Sequence, residues 1–346
     1  MNKIIEVKYY KNFSKIKKIF SRNSYLKPFL DEISLIRHIY FINTQLINNI
    51  HICMSLNNKY IYPILVSMES ILSNSNKEKT FISFHLLCSP DITEITISLL
   101  KSLMKHYSNF ELIIYGMGNN FFYRNDKRLS QVTYYRLFIP IIINVEKIIY
   151  LDGDTLTLKD LTEMYNTPFN DNYILGILGI QAGGLDYLGI QSKIYINVGV
   201  ILLNLKKIRK DNKTPLFLKM AKSKVILKHN DNTILNYVLY PKIGKLPTKF
   251  GIWNFGNKKD IEKYSNRLRI KINITEYEEA LKDPGIIHNV LCWPKIWSIK
   301  STYNRKATTC NIREKCKCTK YHNLWHFYAR RTDYYREILK FSGFKK

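Results

Sequence analysis

The chain has 346 residues, of which 46% are hydrophobic, so it can build one large α/β domain with extensions or two modest domains, and global disorder is excluded. Its 54 basic against 27 acidic residues give a formal charge of +27, which attracts nucleic acid, anionic lipid or phosphorylated substrates without choosing among them. No stretch reaches the roughly 18 uncharged apolar residues of a membrane-spanning helix, and no apolar region typical of a cleavable signal peptide is present.

Residues 1–47 predict a basic N-terminal extension. Lys15, Lys17 and Lys18 lie within a stretch of basic side chains near the N-terminus. Such a stretch is typical of an arm that lies on anionic lipid, and equally of a solvated helical face or an irregular segment. We therefore expect a cytoplasmic protein, with peripheral contact to an anionic membrane as an open alternative.

An alternation of strands and helices begins near residue 50. Short apolar runs predict strands, and apolar residues spaced three or four apart predict helices. The predicted order is strand 50–55, a helix that includes 64–72, strand 81–87, helix 93–105 and strand 110–115. This order predicts a sheet with crossover helices, whose ligands gather beyond the carboxyl ends of its strands. Asn57 and Asn58 lie at such an end.

Further elements follow in the second half of the chain. They are a helix at 131–138 ended by Pro140, strands at 147–151, 174–178 and 198–204, a helix at 233–240 and one final helix near 324–341. No internal repeat interrupts this order, so the pattern predicts α/β architecture with a helical C-terminal end.

The triplet Asp152-Gly153-Asp154 directly follows the apolar strand 147–151. On an extended backbone, residues two apart point to the same side, so both carboxylates face one way. Gly153 leaves room for a ligand or metal to approach the backbone. Two carboxylates so placed suit Mg²⁺ or Mn²⁺ that bridges phosphates, although many such triplets are solvated turns.

Several blocks in chain order carry a family resemblance. They are 134–140 with 147–154, 195–205, 231–236, 284–288 with Lys295 and Trp297, and 325–332. Together they resemble glycosyltransferase family 8, in its lipopolysaccharide-type galactosyl- and glucosyltransferase branch. The resemblance implies a GT-A fold: a single Rossmann-like mixed sheet flanked by helices, with a helical C-terminal extension. It also divides the chain into a catalytic nucleotide-sugar domain, 48–260, and a region, 261–346, that completes the donor site.

The resemblance implies a retaining hexosyltransferase that uses a UDP-sugar donor and Mn²⁺, with Mg²⁺ as the alternative. Asp152, Asp154 and His288 match the family's metal ligands. A neutral imidazole is a suitable partner for Mn²⁺ among carboxylates. The alternative for His288 is a core histidine behind its two isoleucine neighbours. A glycan or glycolipid is the expected acceptor.

The resemblance also implies donor-binding and catalytic positions. The donor-binding positions are Ser55, Leu56, Asn57, Asn58, Arg136, Asp152, Gly153, Asp154, Asn197, Val198 and Lys295. Asp231 would orient sugar hydroxyls, and Asn232 would lie beside the anomeric carbon. Arg136 could instead form a structural ion pair. Because neither Asn232 nor the family's glutamine is a good nucleophile, front-face displacement without a covalent intermediate is expected.

Four positions depart from the family pattern. Asn232 replaces a longer glutamine, Leu291 stands at a usual glycine, Lys295 comes one residue late, and Gln181 falls where an acidic residue often contacts the sugar. These departures leave open a catalytically weakened relative that binds a glycan or partner. A nucleic-acid-binding protein is the less favoured alternative, because the chain shows no binding module and its basic residues are spread out.

The C-terminal region contains two further patterns. Cys310, Cys316, Cys318 and His322 could bind zinc, but the Cys-x-Cys spacing is unusual for a closed site and a reduced surface loop is favoured. Aromatic residues at helical spacing between 325 and 335 predict core packing, with a membrane-facing surface as the alternative.

Overall fold

The fold is described by a computed structural model. It covers residues 5–7, 34–40, 48–118, 131–178, 185–192, 194–223, 227–253, 262, 272–289, 295–298 and 321–343. The strands in these ranges are β1 (Ile5–Val7), β2 (Ser34–Tyr40), β3 (Asn48–Leu56), β4 (Thr80–Cys88), β5 (Phe110–Gly116), β6 (Lys147–Leu151), β7 (Thr155–Thr157), β8 (Ile174–Leu178), β9 (Ile196–Asn204), β10 (Ile243–Lys245), β11 (Ile252–Trp253) and β12 (Ile286–His288).

The helices fall between and after these strands. The α-helices are α1 (Ile61–Asn74), α2 (Glu94–Lys101), α3 (Ile139–Ile142), α4 (Thr162–Tyr165), α5 (Leu205–Lys210), α6 (Thr214–Lys222), α7 (Asn230–Leu239), α8 (Ile274–Lys282), α9 (His322–Arg330) and α10 (Tyr335–Phe341). The 3₁₀ helices are Asn58–Tyr60, Ser102–Lys105, Gln131–Phe138, Asp186–Leu188 and Thr248–Gly251.

A mixed sheet forms the centre of the protein, with strand order β1-β2-β5-β4-β3-β6-β9-β8-β10. Strands β3, β4, β5 and β6 run parallel, whereas β9 lies antiparallel between β6 and β8. The two strands from the N-terminal extension add to the opposite edge, because β2 pairs antiparallel with β5 and β1 with β2. The rest of the predicted N-terminal arm lies outside the described residues.

Apolar side chains cover both faces of this sheet. Along β3, Ile52, Met54 and Leu56 point into one hydrophobic cluster, and Cys53 points into the other. Strands buried on both faces read as nearly continuous apolar runs, which explains the strength of the sequence pattern here. Helix α1 packs in the first cluster and buries residues around most of its circumference, including Glu69.

A second, smaller sheet brings distant chain segments to the end of β6. Its order is β11-β12-β7, and β7 pairs antiparallel with β12 so that Thr155 lies opposite His288. Residue 288 therefore lies next to the Asp152–Asp154 turn, although more than a hundred residues of chain separate them. This pairing is the structural reason that the two segments meet.

The alternation of strands and helices predicted from residue 50 to 116 is confirmed, and three downstream predictions need correction. The 131–138 helix is a 3₁₀ helix, and Pro140 lies in the first turn of α3 rather than ending a helix, because the first turn needs no amide hydrogen. Helix α7 begins at Asn230, three residues earlier than predicted. The final helix is interrupted between Arg330 and Tyr335.

Both C-terminal helices dock on the core through buried aromatic and polar contacts. Asn74 of α1 donates to the Tyr328 hydroxyl (2.8 Å), and Arg331 donates to Glu69 of α1 (2.9 Å). Trp325 is fully buried, which confirms the prediction of core packing for this residue. Among the described residues, no helix has both the length and the apolar character needed to cross a bilayer.

Candidate metal and donor site

The Asp152–Asp154 turn is held by backbone hydrogen bonds from three segments. Asp152 N–H donates to the Gly199 carbonyl of β9 (2.8 Å), and the Thr155 hydroxyl donates to the Asp152 carbonyl (2.9 Å). Asn289 donates both its backbone N–H (3.1 Å) and its side-chain amide (3.0 Å) to the Asp154 carbonyl. The backbone is thus fixed while both carboxylates stay available on one side.

The structure brings the three predicted metal ligands together. One ligand atom from each of Asp152, Asp154 and His288 lies within 4.8 Å of the others. His288 Nε2 is 3.3 Å from Asp154 Oδ1 and 3.7 Å from Asp152 Oδ2. Adjacent ligands of an octahedral ion with bonds near 2.1 Å lie about 3 Å apart, so these spacings fit a divalent cation.

The chemistry of the donor atoms also fits a cation. His288 is buried, and its Nε2 makes no hydrogen bond of acceptable geometry despite facing two carboxylates. A buried polar atom without a hydrogen bond is costly unless it binds something else. Two carboxylate oxygens and an imidazole nitrogen suit Mn²⁺ or a similar borderline-hard metal. The residues present therefore fit the metal that the family pattern implies.

Two positions near the predicted metal ligands require glycine, each because of a different close contact. A Cβ on Gly199 would collide with the Asp152 carboxylate and the His288 ring, so the close approach of β9 to the cluster requires glycine. A Cβ on Gly153 would instead lie 2.7 Å from Ile64 of α1. Gly153 thus permits the turn to pack on a helix, whereas Gly199 is the glycine that gives the ligand atoms space.

Arg136 links Asp152, one of the three predicted metal ligands, to Asp231 of α7. The buried guanidinium donates to Asp152 Oδ1 (2.8 Å), contacts Asp231 Oδ2 (3.0 Å) and donates to the Val198 carbonyl (2.6 Å). It also lies over the Tyr150 ring, 4.3 Å from its centroid. Burial disfavours its charge, but the surrounding carboxylates outweigh burial and raise the pKa of Arg136 above its usual range. Arg136 is therefore a buried cation that is ion-paired with Asp152 and Asp231.

Asp231 occupies the first turn of α7 and is almost fully buried. Burial raises the pKa of Asp231 to about 6, with Arg136 opposing the shift and Asp152 adding to it. The ion pair with Arg136 (3.0 Å) favours the ionised form of the side chain. The side chain can therefore accept hydrogen bonds from hydroxyl groups beside the metal cluster.

The amides of this region are held in fixed orientations by β9. Asn232 Oδ1 accepts the Val198 N–H (2.8 Å), and Asn197 Oδ1 accepts the Gly199 N–H (2.9 Å). Asn236, one turn later on α7, bonds both backbone groups of Ile196 at 2.9 Å. The side-chain oxygen of Asn232 therefore points at β9, and its side-chain nitrogen faces away from this strand.

The predicted donor-binding residues 55–58, which we call the nucleotide loop, lie at the carboxyl end of β3 and directly after it. Leu56 is fully buried, and its carbonyl accepts the Ser89 N–H (3.0 Å). Asn58 is engaged in structure: its amide donates to the Asp91 carbonyl, and its Oδ1 accepts from the Thr96 hydroxyl (2.6 Å). Ser55 and Asn57 are half-buried. The loop is thus fastened to α2 at the sheet edge where ligands gather.

Lys295 reaches the cluster from the far C-terminal side. Its ammonium donates to Asp154 Oδ2 and lies 3.4 Å from the Asn289 carbonyl. Burial raises the pKa of Asp154, but Lys295 and, less strongly, His288 outweigh burial and hold this pKa well below its usual range. The cluster therefore contains one cation on each flank, Arg136 and Lys295.

Some predicted positions cannot be placed, and two residues were missed. Gln181, Leu291, Cys310, Cys316 and Cys318 lie outside the described residues, so the sugar contact, the departure from glycine and the zinc hypothesis stay predictions. Gly199 and Asn289 were not assigned site roles. A glycine inside an apolar strand is a signal of close backbone approach and could have identified Gly199.

A comparison with models of known protein families identifies the family of this chain. The family model named Glycosyl transferase family 8 matches residues 51–330. The chain belongs to glycosyltransferase family 8.

Relatives of this family 8 protein agree with that assignment. A protein of Haemophilus influenzae, provisionally named a glycosyltransferase, is 29% identical over 237 residues, which are 65% of this chain and 69% of that protein. Glycosyltransferase GlyE of Streptococcus pneumoniae is 24% identical over 151 residues, 43% of this chain and 34% of GlyE. The family 8 chain therefore spans about a third of GlyE.

Solved structures confirm the predicted fold. The bifunctional glycosyltransferase WbbM superposes with a TM-score of 0.68 at 19% identity, over 87% of this chain and 54% of that one. Galactosyltransferase LgtC, solved with donor and acceptor sugar analogues, superposes with a TM-score of 0.62 at 20% identity, over 84% of this chain and 100% of that one. The family 8 protein thus has the GT-A fold, a mixed sheet flanked by helices.

Proposed function

We propose that this family 8 protein is a metal-dependent, retaining glycosyltransferase that moves a hexose, glucose or galactose, from a UDP-sugar to a glycan or glycolipid. The observation that carries the proposal is the convergence of Asp152, Asp154 and His288 at ligand spacing, flanked by Arg136 and Lys295. A site that combines carboxylates, an imidazole and two cations suits a metal–diphosphate better than a neutral ligand.

The metal, when bound, neutralises the charge that develops on the UDP diphosphate as the glycosyl–phosphate bond breaks. We propose Mn²⁺, with Mg²⁺ as the alternative. Lys295 binds the diphosphate as a point charge, and Arg136 holds Asp152 and Asp231 in their orientations. The polar loop at the end of β3, with Asn57, contacts the uridine.

The residues at the sugar serve orientation. Asp231, ion-paired with Arg136, accepts hydrogen bonds from donor hydroxyls, while Asn197, Val198 and Asn232 line the sugar. The acceptor hydroxyl oxygen bonds to the anomeric carbon on the same face from which the phosphate oxygen departs. The departing phosphate oxygen takes the proton of the acceptor hydroxyl. Because Asn232 is not an effective nucleophile, the proposed front-face displacement involves no covalent bond between the sugar and Asn232.

The proposal extends to the domains, the product and the cellular location of the protein. Residues 48–260 form the catalytic domain, 261–346 complete the donor site, and the product belongs to a surface glycan such as lipopolysaccharide. The protein acts in the cytoplasm, and its charge of +27 favours peripheral contact with anionic lipid.

Release of UDP from a panel of UDP-sugars, in Mn²⁺ and then in EDTA, tests the proposal. Wild-type protein should release UDP from one hexose donor in Mn²⁺ and none in EDTA. Asp152→Asn should lower this rate at least about 100-fold because it removes a metal ligand, with little change in the unfolding midpoint. The matched control, Asp186→Asn, alters an exposed acid and should retain activity.

Two results would contradict the proposal. Full turnover by Asp152→Asn would remove the assigned role of the cluster. Binding of UDP without release from any donor would instead support a catalytically weakened relative that acts by binding.

A further inference from the structure

The segment 295–298 connects the donor site to the C-terminal helices. It carries Lys295 at one end, and its next residue, Ile296, is fully buried in the main hydrophobic cluster. Ser298 N–H donates to the Lys295 carbonyl (2.8 Å), so the segment forms a tight turn. The position of this turn decides where the Lys295 ammonium can reach.

Helix α9 holds this turn by a buried hydrogen bond. His322 Nδ1 lies 2.7 Å from the Ile296 carbonyl, which requires the tautomer or cation with a proton on Nδ1. His322 is buried at the first turn of α9, and its ring lies 4.5 Å from that of His326. A backbone carbonyl next to Lys295 is therefore fixed by a side chain 26 residues away in sequence.

Aromatic packing of Trp297 also holds this turn. The Trp297 ring lies 6.1 Å from that of Trp325 on α9 and meets the Tyr60 ring edge-on at 5.9 Å. Tyr60 ends the 3₁₀ helix that follows the predicted nucleotide loop. Trp297 thus lies between the C-terminal helix and the carboxyl end of β3.

We propose that His322 is a positioning residue that fixes the Lys295 ammonium at the metal–diphosphate site through the Ile296 carbonyl. Lysine has a long, flexible side chain, so its placement depends on how firmly its backbone is held. Anchoring the turn lowers the ordering cost of binding a diphosphate. This inference rests on the proposed function, and it extends the donor site to a residue of the C-terminal helix.

The first experiment measures Lys295 directly, without nucleotide or activity. Trace acetylation of the protein in EDTA, followed by mass spectrometry, gives the reactivity of Lys295 relative to other lysines. In wild-type protein, pairing with Asp154 should keep Lys295 slow. His322→Phe keeps a ring of similar size but loses the donor, and Lys295 should react about 2- to 10-fold faster, as expected for one lost hydrogen bond.

Two controls separate positioning from a general loss of stability. His322→Asn can place an amide donor near the Nδ1 position and should restore slow labelling. Tyr328 lies on α9, as His322 does, but away from 295–298. Tyr328→Phe removes the hydrogen bond that Asn74 of α1 donates to it, so it should lower stability about as much as His322→Phe and leave the labelling rate of Lys295 unchanged. If His322→Phe does not fold, His322→Ala supplies the same comparison.

Calorimetry with UDP and Mn²⁺ gives the functional result. His322→Phe should bind UDP about 2- to 10-fold more weakly, and His322→Asn should approach wild type. Unchanged Lys295 labelling in His322→Phe would overturn the positioning role, whether or not UDP binds. Changed labelling together with no UDP binding by wild-type protein would instead contradict the proposed function and preserve the structural role of His322.

Discussion

The two sides of the donor site are built in different ways. On the N-terminal side, Asp152, Asp154 and Asn197 lie on or beside neighbouring strands β6 and β9, whose backbones are hydrogen-bonded along their length. On the C-terminal side, His288 comes from a three-residue strand, and Lys295 from a turn held by side chains. Long strand pairing positions the first group. On the second side, a short strand pairing positions His288, and individual side-chain contacts hold the turn that carries Lys295.

Because of this difference, the two sides should respond differently to substitutions. A strand-built position tolerates changes that spare the backbone, but it has no spare volume, because neighbouring strands approach at fixed distances. A position held by single side-chain bonds loses its geometry when one bond is removed. Three further predictions test this contrast, and they are given in order of decreasing effect.

Gly199→Ala should have the largest effect, because the added Cβ would meet Asp152 and His288 inside a paired strand. We expect Mn²⁺ affinity to fall roughly 10- to 100-fold and the free energy of unfolding to fall by about 1–3 kcal/mol. Isothermal titration with Mn²⁺ and urea unfolding measure the two quantities.

Gly189→Ala is the matched control for that variant. Gly189 has φ near +79° at an open surface position, so alanine costs conformational strain without touching the cluster. It should lower stability and leave Mn²⁺ affinity unchanged. Equal Mn²⁺ affinity in both variants would show that β9 has room to move, and the contrast between the two sides would not hold.

Arg331→Ala should have an intermediate effect on the docking of the C-terminal helices. It removes one of two hydrogen-bond donors to the buried Glu69 Oε1, the other being the Tyr107 hydroxyl at 2.6 Å. Because Arg331 is partly exposed, we expect a loss of about 2 kcal/mol, below the full cost of breaking a buried pair. Lys105→Ala, which breaks an exposed pair with Asp333, should cost much less stability than Arg331→Ala.

Urea unfolding of both variants measures these differences. A loss in Arg331→Ala no larger than in Lys105→Ala would show that the Glu69 contact contributes little to docking. The hydrophobic burial of Trp325 would then be the dominant attachment of α9.

The smallest expected effect is a pH dependence at His326, which packs among Trp325, His322 and Tyr335. Burial, with repulsion from His322 and Arg330, lowers the pKa of His326 to about 4. The unfolded chain takes up this proton near pH 6.5, so the unfolded state binds more protons between these values and stability falls as pH falls. We expect a loss of about 1 kcal/mol from this residue between pH 7 and pH 5, which is less than the full pKa shift would give because solvent screens part of the interaction.

Chemical unfolding of wild type and His326→Gln at both pH values checks this expectation. The variant should be less dependent on pH in this window, since it has no group to titrate. The same slope in both proteins would mean that other groups in the fold account for the acid sensitivity.

Much of the strand-built side was predictable from the sequence. The apolar runs of β3, β4, β5, β6 and β9 are confirmed within a few residues, because strands covered on both faces need nearly continuous apolar sequence. The sequence predicted that Asp152 and Asp154 face one side on an extended backbone, whereas the structure brings their carboxylates together in a turn after β6. The family blocks then indicated His288 and Lys295, whose meeting with the aspartates no local pattern could show.

Tertiary structure decided the remaining features. The site role of Gly199, the packing role of Gly153 and the engagement of Asn58 with Asp91 depend on which surfaces approach each other. The α/β alternation was predictable from the sequence alone because it follows from periodicity along one chain, and the sequence also showed two carboxylates directly after an apolar strand. The metal-ligand geometry and the anchor from His322 to Ile296 come from contacts between distant segments, and only the packed fold sets those distances.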